Sequence, residues 1–369
     1  MKILYLFTFD YSLKMWSESG ILEREVKYFN ELKKNNIEIT IITYGDEIDD
    51  EFIDKNELKV IPIYKHFKKP KSKLLRIIKS IYFPIYIYRN TEFDIIKQNQ
   101  LQGAWVAIIL KLISNKKLII RTGYDVFLFS IKEKKLIYKK FLIYIITQAS
   151  LLLSNLYTVT SNDDKQFLEK YFFVKKNKIE LRRNWVNYSQ LSNKLSKRNF
   201  DTFLTVGRLE KQKNYLKLIE LFENSIKKIL VYGEGSEKEL ITNFAKIKNV
   251  QIKIFNPINN SELTNLMQKY AFYITTTLYE GNPKTILEAM GAGCIVIAPN
   301  SKNNREIITN GKNGFLFNLD FENPLETINF SDIYYLETVS SNAIKTINKS
   351  FSLEIYIKDE INEFSKILK

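Results

Sequence analysis

The stretch YEGNPKTILEAMGAG, residues 279–293, places two carboxylates around a turn and the start of a helix. Asn282 suits a helix N-cap, and Pro283 suits the first helical position, where its missing N–H is not needed. We expect a helix from here, with Glu280 in the loop before it and Glu288 in its second turn. A helix N-terminus attracts anions, so the pattern indicates a ligand with phosphates and sugar hydroxyls. Any α/β domain contains strand–loop–helix turns, and an ordinary turn is the alternative.

A second stretch, VGRLEKQKNY at residues 206–215, supplies two cations. Arg208 follows an apolar strand through Gly207, and Lys213 comes five residues later, before a helical pattern. Ligands of open α/β sheets bind at the carboxyl ends of strands, and fixed cations there are suited to a diphosphate.

Together with VYGEGSEKEL at 231–240 and the continuation CIVIA at 294–298, these stretches resemble the donor half of glycosyltransferase family 4. Its Glu-x7-Glu pattern is met by Glu280 and Glu288, and its Arg-x4-Lys pattern by Arg208 and Lys213. The resemblance covers residues 203–317 well and the first half loosely. It implies the α/β GT-B fold, with two Rossmann-like domains facing across a cleft and a C-terminal helix that returns to the first domain.

The resemblance also implies a retaining, hexosyltransferase-type reaction with a nucleotide-diphosphate sugar, UDP-linked in our prediction. Arg208 and Lys213 would neutralise the diphosphate leaving group, the electrostatic term on which such catalysis depends. The Glu288 carboxylate would accept hydrogen bonds from the ribose hydroxyls of the nucleotide. Glu280, with the amides after Gly281 and Asn282 and the turn at Pro283, would hold the donor sugar. The candidate catalytic residues are therefore Arg208, Lys213 and Glu280.

Two glycines join the predicted donor site. Gly20 stands where the family carries a glycine near the donor phosphates, although a plain turn explains it equally well. Gly233 ends a strand and allows a nucleotide base to approach the backbone, and a tight turn is again the alternative. No Asp-x-Asp loop precedes the site, so we expect no cofactor and no metal ion. The acidic segment 46–57 fits a solvated loop better than a metal site.

The first half offers residues for the acceptor side. The segment RTGYDVF, 121–127, follows a strand in a region where the family often has a histidine. Arg121, Tyr124 and Asp125 stand there instead, so acceptor chemistry based on a histidine does not transfer to this chain. There is also no Gly-x-Gly-x-x-Gly after the first strand, which argues against a dinucleotide oxidoreductase.

The positive charge is concentrated in one segment. The chain has a net charge of +15, and residues 59–140 hold nineteen Lys or Arg against four Asp or Glu. Within it, residues 64–90 interleave lysines with apolar residues at helical spacing, which predicts a surface helix able to lie on anionic lipid. A solvated helix with a buried stripe is the alternative. His66 is predicted to be a surface residue.

Length and composition set further bounds. With 369 residues, 45% hydrophobic and 26% charged, the chain suits two globular domains. The single cysteine, Cys294, excludes a disulfide framework and fits the core of a cytoplasmic protein. We find no signal peptide and no apolar run long enough to span a membrane. The predicted domains are residues 1–187 and 200–350, joined by a linker at 188–199, with the helix at 351–369 packing back on the first.

The function predicted from sequence is transfer of a sugar to a glycan acceptor, lipid-linked in our prediction, in cell-envelope polysaccharide or glycoconjugate assembly. The protein would work in the cytoplasm, peripherally bound to the inner face of the membrane through residues 59–140. One alternative is a non-catalytic sugar-nucleotide-binding subunit of a glycan assembly complex. Another is a nucleic-acid binder, but the basic segment has no recognition motif, and we expect no nucleic-acid partner.

Overall fold

The computed structural model describes residues 1–53, 58–123, 125–134, 136–175, 177–186 and 194–369. They form two compact units. The first contains residues Met1–Arg183 and Ile357–Lys369, and the second contains Asn184–Tyr356. Half of the predicted linker, residues 188–193, lies outside the described residues, and the chain enters the first strand of the second unit at Asn199.

The first unit is built on a parallel sheet of seven strands in the order β3-β2-β1-β4-β5-β6-β7. Residues 3–6 and 118–120, in two of its inner strands, are continuous apolar runs, as expected for a parallel sheet covered on both faces. The strands are β1 Lys2–Leu6, β2 Glu38–Thr43, β3 Lys59–Pro62, β4 Ile95–Asn99, β5 Lys117–Arg121, β6 Leu156–Val159 and β7 Ile179–Leu181.

Nine helices connect these strands within the described residues. They are α1 Leu13–Glu18, α2 Leu22–Lys34, α3 Ile63–His66, α4 Lys73–Ser80, α5 Phe83–Asn90, α6 Ala104–Ser114, α7 Val126–Lys132, α8 Ile137–Leu153 and α9 Asn162–Tyr171. Helix α9 begins as its sequence predicts, because the Ser161 side chain caps it by accepting from the Asp164 amide at 3.1 Å.

The prediction of a single surface helix within residues 64–90 is wrong. The segment forms three short helices, α3, α4 and α5. Pro70 lies in the break before α4, where a proline cannot supply the amide of a continuing helix. Tyr82 precedes α5, in which Pro84 stands at the first turn.

The second unit repeats the plan with a parallel sheet of six strands in the order β10-β9-β8-β11-β12-β13. The strands are β8 Asn199–Val206, β9 Lys228–Tyr232, β10 Ile252–Phe255, β11 Tyr270–Ile274, β12 Ile295–Pro299 and β13 Phe315–Phe317. The helices are α10 Tyr215–Leu221, α11 Lys238–Ile247, α12 Asn260–Met267, α13 Lys284–Gly291, α14 Lys302–Arg305, α15 Pro324–Thr327 and α16 Ile333–Ser350. Cys294 is buried in the core of this unit, as its apolar surroundings predict.

The last helix, α17 Leu353–Leu368, returns to the first unit, which confirms the sequence-based expectation. A buried polar group fixes it there. Lys97 of β4 donates to the Tyr28 hydroxyl of α2 at 2.5 Å and pairs with Glu360 of α17. Tyr28 in turn donates to Glu360 at 2.5 Å. Three elements distant in sequence therefore share one fully buried ion pair.

Candidate functional site

The candidate site residues of the second unit collect where its strand order reverses. Strands β9 and β10 lie on one side of β8, and β11 to β13 lie on the other. The loops that follow β8 and β11 therefore leave the sheet from neighbouring strands at the same edge. Such a switch point is where open α/β sheets bind ligands. The β8 loop carries Arg208 and Lys213, and the β11 loop carries Glu280.

The structure brings Lys213 and Glu280 into direct contact. The Lys213 ammonium forms a hydrogen-bonded ion pair with the Glu280 carboxylate. Both side chains are largely shielded from solvent, with exposed fractions of 13% and 27%. The two residues were predicted from separate motifs, and the fold makes them one pair.

Arg208 is placed differently. Its side chain is exposed, and across the described ranges of the chain its guanidinium has no hydrogen bond or ion pair. Glu210 is engaged by Ser236, whose amide and hydroxyl donate to the carboxylate at 3.2 and 3.0 Å. These hydrogen bonds, led by that of the amide, lower the pKa of Glu210. Arg208 therefore remains available to an anion from outside.

Three polar side chains that the sequence did not single out hold these loops in place, two of them by joining one loop to the other and the third, Asn303 of α14, by binding the β11 loop. The side-chain amide of Gln212 donates to the main-chain carbonyl of Tyr279 at 2.6 Å. The main-chain carbonyl of Gln212 accepts from the main-chain amide of Leu278 at 3.0 Å. Thr276 donates to the Asn214 carbonyl at 2.8 Å, and Asn303 donates to the carbonyl of Glu280. All of these hydrogen bonds end on main-chain atoms. The only feature of the sequence that could have pointed to any of these three residues was the place of Thr276 just after a strand.

The start of the helix is one residue later than predicted. Helix α13 begins at Lys284, with Pro283 at the N-cap and no side-chain cap. Asn282 is not free to cap the helix, because its side-chain oxygen accepts from the Asn184 amide at 3.2 Å. The Asn282 carbonyl also accepts from the Asn184 side chain at 3.2 Å. The main-chain amides of the residues after Gly281 and Asn282 were expected to bind the donor sugar. Only the amide of Asn282 exists, because Pro283 has no N–H.

Glu288 lies in the second turn of α13, as predicted. Its carboxylate is 3.2 Å from the Lys284 ammonium one turn earlier, and its side chain is only 12% exposed. Pairs at this spacing stabilise a helix weakly, so Lys284 orients the carboxylate without binding it strongly.

The glycine turns have a structural reason of their own. A Cβ atom on Gly233 would lie 1.9 Å from the Gly207 carbonyl oxygen, so the β8 and β9 loops pack too closely for a side chain. Gly20 joins α1 to α2 at a φ of +68°, a conformation that favours glycine. Close packing explains Gly233 and the turn explains Gly20, and their roles toward a donor stay predictions.

The acceptor-side residues lie in the first unit. Arg121 ends β5, and Asp125 caps α7 by accepting from the Leu128 amide at 2.5 Å. Burial raises the pKa of Asp125 to about 7 and that of nearby Asp164 to about 6. Tyr124 lies outside the described residues.

No group of three or more His, Cys, Asp or Glu within the described residues is arranged to hold a metal ion. In the acidic segment, Asp49 is buried and accepts from the Leu13 amide at 3.1 Å and from Thr43 at 2.5 Å, so it serves the fold. His66 is exposed, as predicted. No helix in the described part of the chain is long and apolar enough to cross a membrane.

Comparison with known proteins identifies similar glycosyltransferases. Residues 188–320 match the family model described as "Glycosyl transferases group 1". The chain is 24% identical over 305 residues to the UDP-Gal:alpha-D-GlcNAc-diphosphoundecaprenol alpha-1,3-galactosyltransferase of Escherichia coli, covering 76% of this chain and 77% of the relative.

A second relative is the N-acetylgalactosamine-N,N'-diacetylbacillosaminyl-diphospho-undecaprenol 4-alpha-N-acetylgalactosaminyltransferase of Campylobacter jejuni. It is 24% identical over 325 residues, covering 83% of this chain and 85% of the relative. The structure is similar to that of sucrose-phosphate synthase from Thermosynechococcus elongatus, with a TM-score of 0.81 and 16% identity over 100% of this chain and 99% of the other. The two parallel sheets and these relatives support a glycosyltransferase of GT-B fold, and the match to the group 1 model falls on the second unit.

Proposed function

We propose that this protein is a retaining, hexosyltransferase-type glycosyltransferase that uses a UDP-linked sugar. The observation that carries the proposal is the arrangement at the switch point of the second sheet, where exposed Arg208 lies on the same loop as Lys213, and Lys213 pairs with Glu280 of the neighbouring loop. A diphosphate needs cations, and a sugar needs hydrogen-bond acceptors for its hydroxyls. Both kinds of group come from the adjacent β8 and β11 loops.

In the proposed reaction, the bond between the anomeric carbon and the β-phosphate oxygen breaks, and its electron pair leaves with the nucleoside diphosphate. An acceptor hydroxyl forms the new bond to the same carbon, and its proton passes to the oxygen of the leaving diphosphate. Arg208 and Lys213 stabilise the charge that develops on the diphosphate, and Glu280 lies beside the transferred sugar. Glu288 binds the ribose hydroxyls, which do not change in the reaction. These protein cations leave no electrostatic need for a metal ion.

The proposed acceptor is a saccharide linked to a lipid diphosphate, because the two relatives named above act on such molecules by their names. An acceptor of this kind requires the enzyme to work at a membrane surface. We therefore place the protein at the inner face of the membrane, in the assembly of cell-envelope glycans.

One face of the first unit suits that surface. The connections β3 to β4, β4 to β5 and β5 to β6 all run in the same direction across the sheet. Because crossovers are right-handed, α5, α6 and α8 lie on one face, and α5 packs on α6, which packs on α8. The reverse connection from β1 to β2 puts α2 on the other face. We call α4, α5, α6 and α8 the basic helical face.

This face combines apolar and positively charged groups without carboxylates. The sequence has no Asp or Glu at residues 58–91 or 134–162. Large apolar side chains are nevertheless exposed on it, including Leu74 at 66%, Ile137 at 82% and Phe141 at 63%. Soluble monomers rarely expose such a patch, and the cations around it complement anionic lipid headgroups. Two copies facing each other would bring like charges together, which disfavours a symmetric dimer through this face.

The experiment that tests the enzymatic proposal is a screen of nucleotide sugars with a lipid-diphosphate-linked saccharide as acceptor. We expect release of UDP from one UDP-sugar, with EDTA without effect. Nuclear magnetic resonance of the product should show the donor's anomeric configuration retained. Inversion, or activity that depends on an added divalent ion, would contradict the corresponding part of the proposal.

The same screen separates the enzyme from the alternative of a non-catalytic subunit. A chain that binds a nucleotide sugar but releases no nucleoside diphosphate with any acceptor would be such a subunit. We favour the enzyme because Arg208, Lys213, Glu280 and Glu288 are all present and the first three share one edge of the sheet.

A further inference from the structure

Lys213, which is proposed to bind the donor diphosphate, is already paired with a carboxylate of the protein. Within the part of the chain that the structure describes, Lys213 has one carboxylate partner, which is Glu280. The same two residues are proposed to bind different parts of the donor, the phosphates and the sugar. With Lys213 paired in this way, its ammonium does not offer its full charge to a phosphate.

The main chain on both sides of this pair is fixed independently of it. Gln212, next to Lys213, makes two hydrogen bonds to the backbone of residues 278 and 279. The Glu280 carbonyl accepts from Asn303, and the Lys213 carbonyl accepts from Thr276 at 3.2 Å. The Glu280 carboxylate can therefore turn away from Lys213 by rotation of its own side chain, while the loop stays where it is.

We propose that Glu280 is an internal counter-ion, which occupies the place of the diphosphate on Lys213 until a donor arrives. This inference rests on the proposed function. The incoming diphosphate takes over Lys213, and its negative charge repels the released carboxylate. Glu280 then becomes available to the hydroxyls of the transferred sugar. The ion pair thereby makes recognition of the sugar depend on prior binding of the phosphates.

Glu280 consequently has opposite effects on two measurable quantities. Before the donor binds, its carboxylate competes with the phosphates for Lys213 and weakens their binding. After the donor binds, it assists transfer. Removing its charge should therefore tighten the binding of the nucleoside diphosphate while turnover falls, a combination that a simple binding residue does not produce.

The test compares Glu280→Gln and Glu280→Ala with the unmodified protein by titration calorimetry. The ligands are the nucleoside diphosphate released in the screen, UDP in our proposal, and the corresponding nucleoside. We expect both variants to bind the diphosphate about tenfold more tightly, the scale of a partly buried ion pair, and the nucleoside with unchanged affinity. The kcat of Glu280→Gln should be lower.

Glu210→Gln is the matched control. It removes the same charge from the β8 loop, but the carboxylate of Glu210 is bound by Ser236 instead of Lys213. Its affinity for the diphosphate should stay within about twofold, because it leaves Lys213 unchanged. Equal or weaker diphosphate binding in both Glu280 variants would overturn the inference, and so would equal tightening in Glu210→Gln. If the unmodified protein binds no nucleoside diphosphate, the proposed function itself is wrong.

Discussion

At the scale of single residues, the two cations of the proposed donor site differ in their surroundings. Lys213 is shielded and paired, whereas Arg208 is exposed and its guanidinium has no hydrogen bond or ion pair to the described part of the protein. Arg208 therefore contributes little to the fold, and its charge is available to the ligand. The effects of replacing it should appear in activity and not in stability.

We predict that Arg208→Ala lowers kcat by about two to three orders of magnitude, because it removes one group that stabilises charge in the transition state. The melting temperature should not change. Lys211→Ala removes an exposed cation from the same loop and should keep nearly normal turnover. Near-normal turnover of Arg208→Ala would contradict the assignment of Arg208 to the diphosphate.

A second prediction concerns the buried carboxyl of Asp125. Burial raises its pKa from 3.8 to about 7. The folded state therefore holds this proton more tightly than the unfolded chain, so the stability that Asp125 contributes is lost as the pH rises from about 4 toward 7. Asp125→Asn keeps a side chain able to cap α7 and has no charge to bury.

The free energy of unfolding of Asp125→Asn, relative to the unmodified protein, should rise by about 1.4 kcal/mol per pH unit across this interval. Urea unfolding at pH 5 and pH 7.5 measures the difference. Asp46→Asn replaces an exposed capping aspartate of the same unit and should show no such trend. A difference between Asp125→Asn and the unmodified protein that is independent of pH would show that Asp125 is charged in the folded state.

Sequence motifs predicted which residues approach one edge of the second sheet, but not how they bond to each other. Arg208 was identified from its place after an apolar strand, Lys213 from its place five residues later, and Glu280 from the turn that precedes a helix. The contacts of Gln212 and Asn303 were not predictable, because both bind main-chain carbonyls that only the complete fold brings near. The Asn282–Asn184 contact likewise links residues far apart in sequence, and it alone explains why Asn282 does not cap the helix.

At the scale of helices and strands, the clearest sequence signals are continuous apolar runs, such as residues 3–6 of β1 and 295–298 of β12. The prediction of one helix within residues 64–90 failed because the lysines and apolar residues keep helical spacing across the breaks at Pro70 and Tyr82. Periodicity alone therefore did not reveal three helices. Strand β3 was missed since it has only four residues between the acidic segment and α3. Helix α17 was predicted from its apolar face, but the role of Glu360 was not, because its partners Lys97 and Tyr28 come from the other end of the chain.

The buried group that fixes α17 leads to a third prediction. Glu360→Ala leaves the Lys97 ammonium buried without its partner and should destabilise the protein by about 3–5 kcal/mol. Replacing all three groups by apolar ones, in Tyr28→Phe/Lys97→Met/Glu360→Met, should restore most of that loss, because no buried polar atom then lacks a partner.

Urea unfolding followed by circular dichroism measures both variants. The exposed pair of Lys2 and Glu92 provides the control, since Glu92→Gln should leave the stability nearly unchanged. If the triple variant were as unstable as Glu360→Ala, the buried charges themselves would be stabilising.

At the scale of the whole molecule, the basic helical face predicts how the protein meets lipid. Its positive charge should attract anionic vesicles, and salt should weaken this attraction, because charges are screened over about 8–10 Å at physiological ionic strength. Its exposed apolar side chains should add contact that salt does not remove. Vesicle flotation separates the two contributions.

Reversing Lys68, Lys69, Lys71 and Lys73 to Glu should abolish most binding to anionic vesicles and leave hydrolysis of a soluble donor unchanged. The control reverses four exposed lysines of the second unit, namely Lys238, Lys246, Lys253 and Lys312. Replacing Ile137, Phe141 and Leu142 by Ser should weaken the binding that persists in high salt. Equal binding to neutral and anionic vesicles would show that the positively charged residues form an ordinary solvated surface with no role in lipid binding.

The return of α17 to the first unit affects how the protein is made. Residues 357–369 leave the ribosome only after the whole second unit has been synthesised, yet they supply the carboxylate that Lys97 needs. A nascent chain that has completed residues 1–183 therefore lacks both the counter-charge of Lys97 and the helix that supplies it. The first unit to be translated is thus the last to be finished.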